Sequence, residues 1–211
     1  MRDGLSEDGP ALSRRSILLA APAILGLASL RASFARDDSS SWPPVFETGR
    51  SQFTVVRPRA LMPPLRLQDL RGKDVVLTPK PGRMTLINFW ATWCAACRLD
   101  LPTMANLERS RIDGLDICAI CTDTRDNRKI RSYLASVNAP NLTCYVDAYG
   151  AAADPNKPSE SSFRLIGMPI TYLVGKSNRI EGYITGAADW LSPSGSRLLQ
   201  FYREQAETGQ P

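Results

Sequence analysis

The residues best suited to chemistry are two cysteines, Cys94 and Cys97, which lie three positions apart in the stretch Trp-Cys-Ala-Ala-Cys at 93–97. Apolar residues recur at helical spacing from there to about Arg109, which predicts that Cys94 lies at the N-terminus of a helix. Free backbone N–H groups and the helix dipole stabilise negative charge at such an end, and a thiolate is the form of cysteine that attacks disulfides. Cys97 lies on the same helix face, where it can resolve a mixed disulfide. The spacing therefore predicts a redox pair with Cys94 as its nucleophile.

The chain contains five cysteines and no histidine, and these counts exclude several kinds of site. Without an imidazole, Ser-His-Asp and Cys-His catalysis, His-ligated zinc and c-type haem attachment are ruled out. No second pair of suitable spacing completes a zinc site with Cys94 and Cys97, so we predict no metal and no cofactor. Cys118 and Cys121 also stand three apart, but in a predicted strand such residues point to opposite faces. We therefore predict that these two cysteines, and Cys144 in the next strand, are core residues.

Length and composition are those of a soluble globular protein. The chain has 211 residues, of which 43% are apolar and 22% charged, and its formal net charge is +5. This length suits one well-cored domain plus an extension. The basic residues form no dense tract and no stripe with aromatic residues, so nucleic acid is not predicted as a partner.

The first 35 residues have the three parts of a secretory signal: a basic start, a short apolar run and a small-residue end. Arg14 and Arg15 resemble the arginine pair of a twin-arginine signal. The apolar run that follows, Ile17–Leu30, is too short to cross a bilayer comfortably. Because Ser33 and Ala35 are small, we predict cleavage after Ala35 and export to the periplasm. An uncleaved membrane anchor stays open as the alternative.

The mature chain is then predicted to start at Arg36 with a linker over residues 36–44, which are polar and serine-rich and end in Pro-Pro. Residues 45–211 are assigned to one domain. Their patterns predict the order β-α-β-α-β-β-α after a β-hairpin, with the cysteine pair between the first strand and the first helix of that order. The predicted hairpin strands are 53–56 and 75–77, and the later elements are 85–90, 94–109, 115–122, 127–137, 142–146, 170–174, 179–185 and 192–202.

Two stretches resemble a known family. Residues 86–102, Leu-Ile-Asn-Phe-Trp-Ala-Thr-Trp-Cys-Ala-Ala-Cys-Arg-Leu-Asp-Leu-Pro, resemble the active-site stretch of TlpA/ResA-like periplasmic thioredoxins. Residues 167–171, Gly-Met-Pro-Ile-Thr, resemble the cis-proline loop of that family, and the resemblance extends over roughly residues 60–205. It implies an α/β, thioredoxin-like fold, in which a central mixed β-sheet is flanked by helices and carries an N-terminal β-hairpin extension.

The resemblance also implies roles for residues near the cysteine pair. ResA-like proteins carry a carboxylate where Asp100 stands, and an acid there can relay a proton to Cys97. The peptide between Met168 and Pro169 is expected to be cis, and the Met168 backbone is expected to pair with a client peptide as an added strand. Trp93 is expected to be an exposed aromatic residue for docking.

More ordinary roles stay open for the same residues. Asp100 is otherwise a solvated helix acid, Pro169 a trans proline before an edge strand, and Trp93 a packing residue. Thioredoxin carries its own buried acid on the strand before the cysteines, and the residue there in this chain is Asn88, which cannot act as an acid.

The leading functional hypothesis is an enzyme that reduces disulfides of exported proteins. The two alanines between the cysteines supply no cation to stabilise the thiolate, which favours a low reduction potential. The resemblance implies apo-cytochrome c or the copper-site cysteines of cytochrome oxidase as clients and a membrane-embedded thiol reductase as electron donor. We expect a monomer. A Cu(I)-binding metallochaperone, since two thiolates suit Cu(I), and a dithiol oxidase stay open as alternatives.

Overall fold

The computed structural model describes residues 42–123, 125–153 and 161–205. The predicted signal peptide at 1–35 and most of the predicted linker at 36–44 lie outside these residues. Within the described part, no helix is both long enough and apolar enough to span a membrane. The elements of this part are β1 Thr54–Val55, β2 Leu65–Asp69, β3 Asp74–Leu77, β4 Met84–Trp90, α1 Cys97–Arg109, β5 Leu115–Cys121, α2 Asn127–Ser136, β6 Cys144–Val146, β7 Ile170–Val174, β8 Ile180–Thr185 and α3 Pro193–Glu204.

The strands form one mixed sheet in the order β1-β8-β7-β4-β5-β6-β2-β3. Near its centre, β4 pairs in parallel with β5 and antiparallel with β7. The connections β4-α1-β5 and β5-α2-β6 step across the sheet in the same direction, and right-handed crossovers therefore place α1 and α2 on one face. The prediction of a thioredoxin-like fold with a mixed central sheet is confirmed.

Strand β4 positions the site because every one of its residues is buried. Its side chains alternate between two apolar layers, as the period of a strand requires. Leu86 and Trp90 lie in the layer that also contains buried residues of all three helices. Ile87 and Phe89 lie in the opposite layer, which includes Phe163. Because β4 is packed on both faces, the position of its C-terminal end is fixed. The cysteine pair, which follows that end, therefore also has a defined position.

The N-terminal hairpin is present, but its strands differ from those that the sequence predicts. The pattern paired 53–56 with 75–77, whereas the structure pairs β2 with β3. The strand at Thr54–Val55, β1, instead lies beside β8 at the other edge of the sheet. A hairpin requires a short connection. The tight turn after β2, where the Gly72 N–H donates to the Asp69 carbonyl, provides one, and the long segment after β1 does not.

The later elements agree with the predicted boundaries to within two residues, except that α1 begins at Cys97 rather than at Cys94. Residues 92–96 form turns before it, in which the Cys97 N–H donates to the Cys94 carbonyl at 3.2 Å. Pro102 lies inside α1, as the sequence predicts. Cys94 therefore lies in the turn that leads into the helix rather than within the helix itself.

Candidate active site

Cys94 and Cys97 form a disulfide in the structure, with their Cα atoms 5.3 Å apart. The turn between the end of β4 and the start of α1 brings them together. Ala96, the N-cap of α1, makes no side-chain capping bond, so the backbone N–H groups of the first turn are not covered by a cap. One of these groups, the Cys97 N–H, donates to the Cys94 sulfur at 3.1 Å. A hydrogen bond of this kind stabilises a thiolate at Cys94.

The two sulfurs differ in their access to solvent. Cys94 is 5% exposed and Cys97 is 0% exposed, so only Cys94 is reached from outside in the disulfide state. Cys94, the predicted nucleophile, is therefore the more accessible of the two sulfurs, although it is itself buried. The roles of attacking and resolving cysteine remain predictions.

Asp100 is buried at the start of α1, one turn beyond Cys97. Its carboxylate accepts the Ala188 backbone N–H at 3.0 Å and the Asn88 side-chain N–H at 2.7 Å. Burial raises the pKa of Asp100 to about 6, and the bonds from Ala188 and Asn88 act in the opposite direction. The structure therefore gives no support to the alternative of a solvated helix acid. A carboxyl with this pKa exchanges protons close to neutral pH.

Asn88 and Thr171 belong to the same buried network, and sequence reasoning assigned them no positive role. The second side-chain N–H of Asn88 donates to the Thr171 hydroxyl at 2.9 Å. The two residues face each other directly in the β4–β7 pairing, and both are fully buried. The only signal in the sequence is an amide within an otherwise apolar strand, because the contact between the strands cannot be deduced from periodicity.

The Met168–Pro169 peptide is cis, as the sequence predicts. Pro169 is buried and Met168 half-buried. The next residue, Ile170, pairs with Phe89 near the C-terminal end of β4. The proline loop therefore lies at the same end of the strands as the cysteine turn. Trp93 is 72% exposed, which agrees with a docking residue and not with a packing residue. The structure thus brings the predicted site residues to one end of the sheet, where β4 terminates.

Asp123, which follows β5, is a third residue that the sequence analysis missed. Its carboxylate accepts the Thr92 backbone N–H at 3.0 Å and the Thr92 hydroxyl at 2.7 Å. Thr92 immediately precedes Trp93 and the nucleophile. The parallel pairing of β4 with β5 places the two C-terminal ends side by side, and Asp123 holds the cysteine turn there.

The other three cysteines are free thiols buried in the core, in agreement with the prediction. Burial raises the pKa of Cys118 and of Cys144 to about 12, and it also raises the pKa of Cys121. At neutral pH these thiols stay protonated and therefore unreactive.

Comparison with known proteins agrees with this geometry. Residues 58–193, more than half of the chain, match the family model described as Redoxin. The chain is 30% identical to the thiol:disulfide interchange protein HelX of Rhodobacter capsulatus over 128 residues, which cover 59% of this chain and 65% of HelX. It is 24% identical to the thiol-disulfide oxidoreductase ResA of Bacillus subtilis over 123 residues, which cover 57% of this chain and 63% of ResA. Each alignment thus spans slightly less than two thirds of the relative.

A solved structure supports the fold. The thiol:disulfide interchange protein of the thioredoxin family from Chlorobium tepidum matches 70% of this chain and 99% of its own chain, with a TM-score of 0.54 and 17% identity. The region that matches the family model contains both the cysteine pair and the proline loop. The chain therefore belongs to the Redoxin family, and the matching region is a thiol–disulfide oxidoreductase domain of the ResA-like type, as the active-site stretch predicts.

Proposed function

We propose that this chain is a periplasmic reductant of disulfides in exported proteins. The observation that carries the proposal is the unequal environment of the two cysteines. Cys94 reaches the surface and accepts a backbone N–H, whereas Cys97 is fully buried on the helix that also carries Asp100. Such an arrangement suits attack by one sulfur and resolution by the other.

In the proposed reaction, the Cys94 thiolate attacks one sulfur of a client disulfide, and the other client sulfur leaves as a thiolate. The product is a mixed disulfide between Cys94 and the client. Cys97 then gives its proton to the Asp100 carboxylate, and the resulting thiolate attacks the Cys94 sulfur. The Cys94–Cys97 disulfide forms as the mixed disulfide breaks and releases the second client thiolate. Two electrons pass to the client, and a membrane-embedded thiol reductase is proposed to return them to the pair.

Asp100 is suited to this step because of its pKa. A group with a pKa of about 6 is largely ionised at neutral pH, so it can accept a proton and later release it. The same negative charge disfavours a thiolate nearby, so we expect Asp100→Asn to lower the apparent pKa of the thiol pair and to slow turnover at neutral pH. Thiolate absorbance of the reduced proteins, titrated beside their reduction rates, measures both effects. Superimposed titration curves and equal rates would remove Asp100 from the mechanism.

Client binding is proposed to use the proline loop and the apolar residues beside the pair. An extended client segment would add to the Met168 backbone as a strand, which gives affinity without a fixed sequence. Trp93, within the cysteine turn, and Ile166, just before the proline loop, are exposed. Apo-cytochrome c and the copper-site cysteines of cytochrome oxidase are the proposed clients, and the protein is proposed to act as a monomer.

Trapping tests the proposal, because Cys97→Ser leaves the attacking thiol but removes the resolving one. Mixed with an oxidised apo-cytochrome c peptide or an oxidised copper-site domain, this variant should accumulate a mixed disulfide through Cys94. Cys94→Ser serves as the matched control and should form none. If Cys94→Ser traps clients equally well, the assigned roles are wrong. Transfer of Cu(I) without disulfide reduction would favour the metallochaperone, and oxidation of reduced clients would favour the oxidase.

The proposed compartment has its own test. Residues 1–35 are proposed to direct export through the twin-arginine route and to be removed after Ala35. N-terminal sequencing of the periplasmic protein should then begin at Arg36. Recovery of the intact N-terminus in the membrane fraction would support the uncleaved anchor instead.

A further inference from the structure

Asn88 is a buried amide in β4, a strand whose other residues are apolar except for Thr85. Its side chain lies on the face of β4 that Leu86 and Trp90 share, within the apolar layer of the helices. Both side-chain N–H hydrogens are donated, one to the Asp100 carboxylate and one to the Thr171 hydroxyl. The amide oxygen accepts no hydrogen bond from the described residues. A buried amide with an unpaired oxygen is costly compared with an apolar residue of the same size, so its value lies in the bonds that it donates.

Thr171 fixes the amide in this orientation. It lies directly opposite Asn88 in the β4–β7 pairing, and its hydroxyl oxygen accepts the N–H that does not bind Asp100. With that N–H held, the other is directed at the carboxylate at 2.7 Å. The network therefore spans three elements, β7, β4 and α1, and ends at the acid on the helix of the cysteine pair.

We propose that Asn88, held by Thr171, is a positioning residue that keeps the Asp100 carboxylate ionised. The inference rests on the proposed function, in which an ionised Asp100 accepts the Cys97 proton. Without the amide, Asp100 would remain protonated to a higher pH and could not take up that proton at neutral pH.

The charges around Asp100 support this assignment. Burial is the largest influence on the pKa of Asp100, and the two hydrogen bonds from Ala188 and Asn88 oppose it. Strand β4 has no titratable side chain, and Tyr172 of β7 packs in the opposite apolar layer. On the neighbouring segments Arg98 and Asp189 are exposed. Glu181 of β8 is paired with Arg59. The other titratable groups in the described part of this layer are protonated side chains: Cys121, Cys144, Tyr133 and Tyr202.

The test compares three variants of the full chain in the disulfide form, where the cysteine pair does not titrate. Asn88→Leu removes the donor at similar size, and Thr171→Val removes only the hydroxyl that holds it. Thr85→Val is the matched control, since it removes a buried hydroxyl from β4 that is not part of the network. Carboxyl resonances of protein labelled with ¹³C-aspartate report each ionisation, and Asp100→Asn assigns the Asp100 signal by its loss.

We expect the pKa of Asp100 to rise from about 6 by roughly one to two pH units in Asn88→Leu, because a hydrogen bond to the charged form is lost. A smaller rise is expected in Thr171→Val and none in Thr85→Val. Thr171→Val also decides the matter if Asn88→Leu does not fold. An Asp100 titration that is unchanged in both network variants would overturn the inference.

This outcome is separate from the fate of the proposed function. If Asn88→Leu shifts the Asp100 titration but Asp100→Asn leaves the thiols and the reduction rate unchanged, the positioning role stands and the proton transfer by Asp100 fails. If Asp100→Asn alters the thiols but the network variants leave Asp100 unchanged, the proton transfer stands and the role of Asn88 is wrong.

Discussion

At the scale of single residues, the chemistry depends on how one cysteine differs from four others. Exposure does not separate them, because Cys144 is 7% exposed and Cys94 only 5%. The difference is the state of the sulfur. Cys94 accepts the Cys97 N–H, whereas burial raises the pKa of Cys144 and of Cys118 to about 12.

We therefore expect limiting alkylation of the reduced protein at neutral pH to label Cys94 first. The reagent reacts with thiolates. Cys94 has a backbone N–H donated to its sulfur, whereas burial keeps Cys144 and Cys118 protonated. Peptide mapping by mass spectrometry after short exposure measures the order. Earlier labelling of Cys97 or Cys144 would contradict the assignment of the nucleophile.

Asp100 adds a pH dependence to the stability of the disulfide form. Its pKa is about 6 in the folded protein and 3.8 ordinarily, so between these values the folded protein holds a proton that the unfolded chain has released. The free energy of unfolding should therefore fall as pH rises through this window, by up to about 3 kcal/mol in total. At pH values above this window, the free energy of unfolding has lost the whole contribution of Asp100, and this group causes no further change.

Denaturant unfolding of the oxidised wild type and of Asp100→Asn, followed from about pH 4 to about pH 7, tests this dependence. Titrations of groups that the two proteins share cancel when their free energies of unfolding are subtracted. The stability of Asp100→Asn relative to the wild type should therefore increase as pH rises. Parallel stability curves over that range would show that Asp100 is not buried as a charged group.

Sequence alone predicted the chemistry of the residues better than their environment. The spacing of Cys94 and Cys97 and the sequence around Pro169 were sufficient, because both are local features. The burial of Asp100 was indicated only by the family resemblance and not by the local pattern, since a charged residue near the start of a helix is ordinarily solvated. The role of Asn88 requires the β4–β7 contact, which brings together residues far apart in the chain.

At the scale of elements, the site is an assembly of strand ends. The cysteine turn follows β4, Asp123 follows β5 and the proline loop precedes β7, so all three meet at the C-terminal ends of β4 and β5. Asp123 secures the turn through two hydrogen bonds to Thr92.

Asp123→Ala should loosen this turn. Loss of both bonds is expected to lower the free energy of unfolding by about 1 kcal/mol and to slow the reaction of Cys94 with a disulfide reagent. Thr92→Val, which loses only the hydroxyl bond, should show a smaller change in both. Denaturant unfolding and stopped-flow kinetics measure the two effects, and an Asp123→Ala protein identical to wild type would show that the carboxylate does not hold the turn.

The elements that the sequence predicted correctly are those with a strong local period, and the misassigned hairpin shows the limit of that approach. Periodicity identified the strand at Thr54–Val55 but not its partner, because pairing depends on the distance that a connection must cover. The start of α1 was placed at Cys94 for a related reason: the turn over 92–96 continues the apolar pattern without helical hydrogen bonding.

At the scale of the whole molecule, one sheet carries a single redox site, and residues 58–193 form a domain of the Redoxin family. The buried β4 fixes the turn, the apolar layer of the helices excludes water from Cys97, and the Asn88 network controls the acid one turn further along α1. These features suit a dithiol whose disulfide is hard to reduce. The proposed role as a reductant therefore depends on the direction in which electrons flow.

The reduction potential of the Cys94–Cys97 couple tests that claim most directly. The alanines between the cysteines offer no cation, and Asp100 contributes negative charge, so the thiolate is weakly stabilised and the potential should be low. Equilibration of the protein with glutathione, followed by the ratio of dithiol to disulfide, should give a value well below about −180 mV and close to the thioredoxin value of about −270 mV. A value near about −120 mV, that of a strong oxidant, would contradict the account.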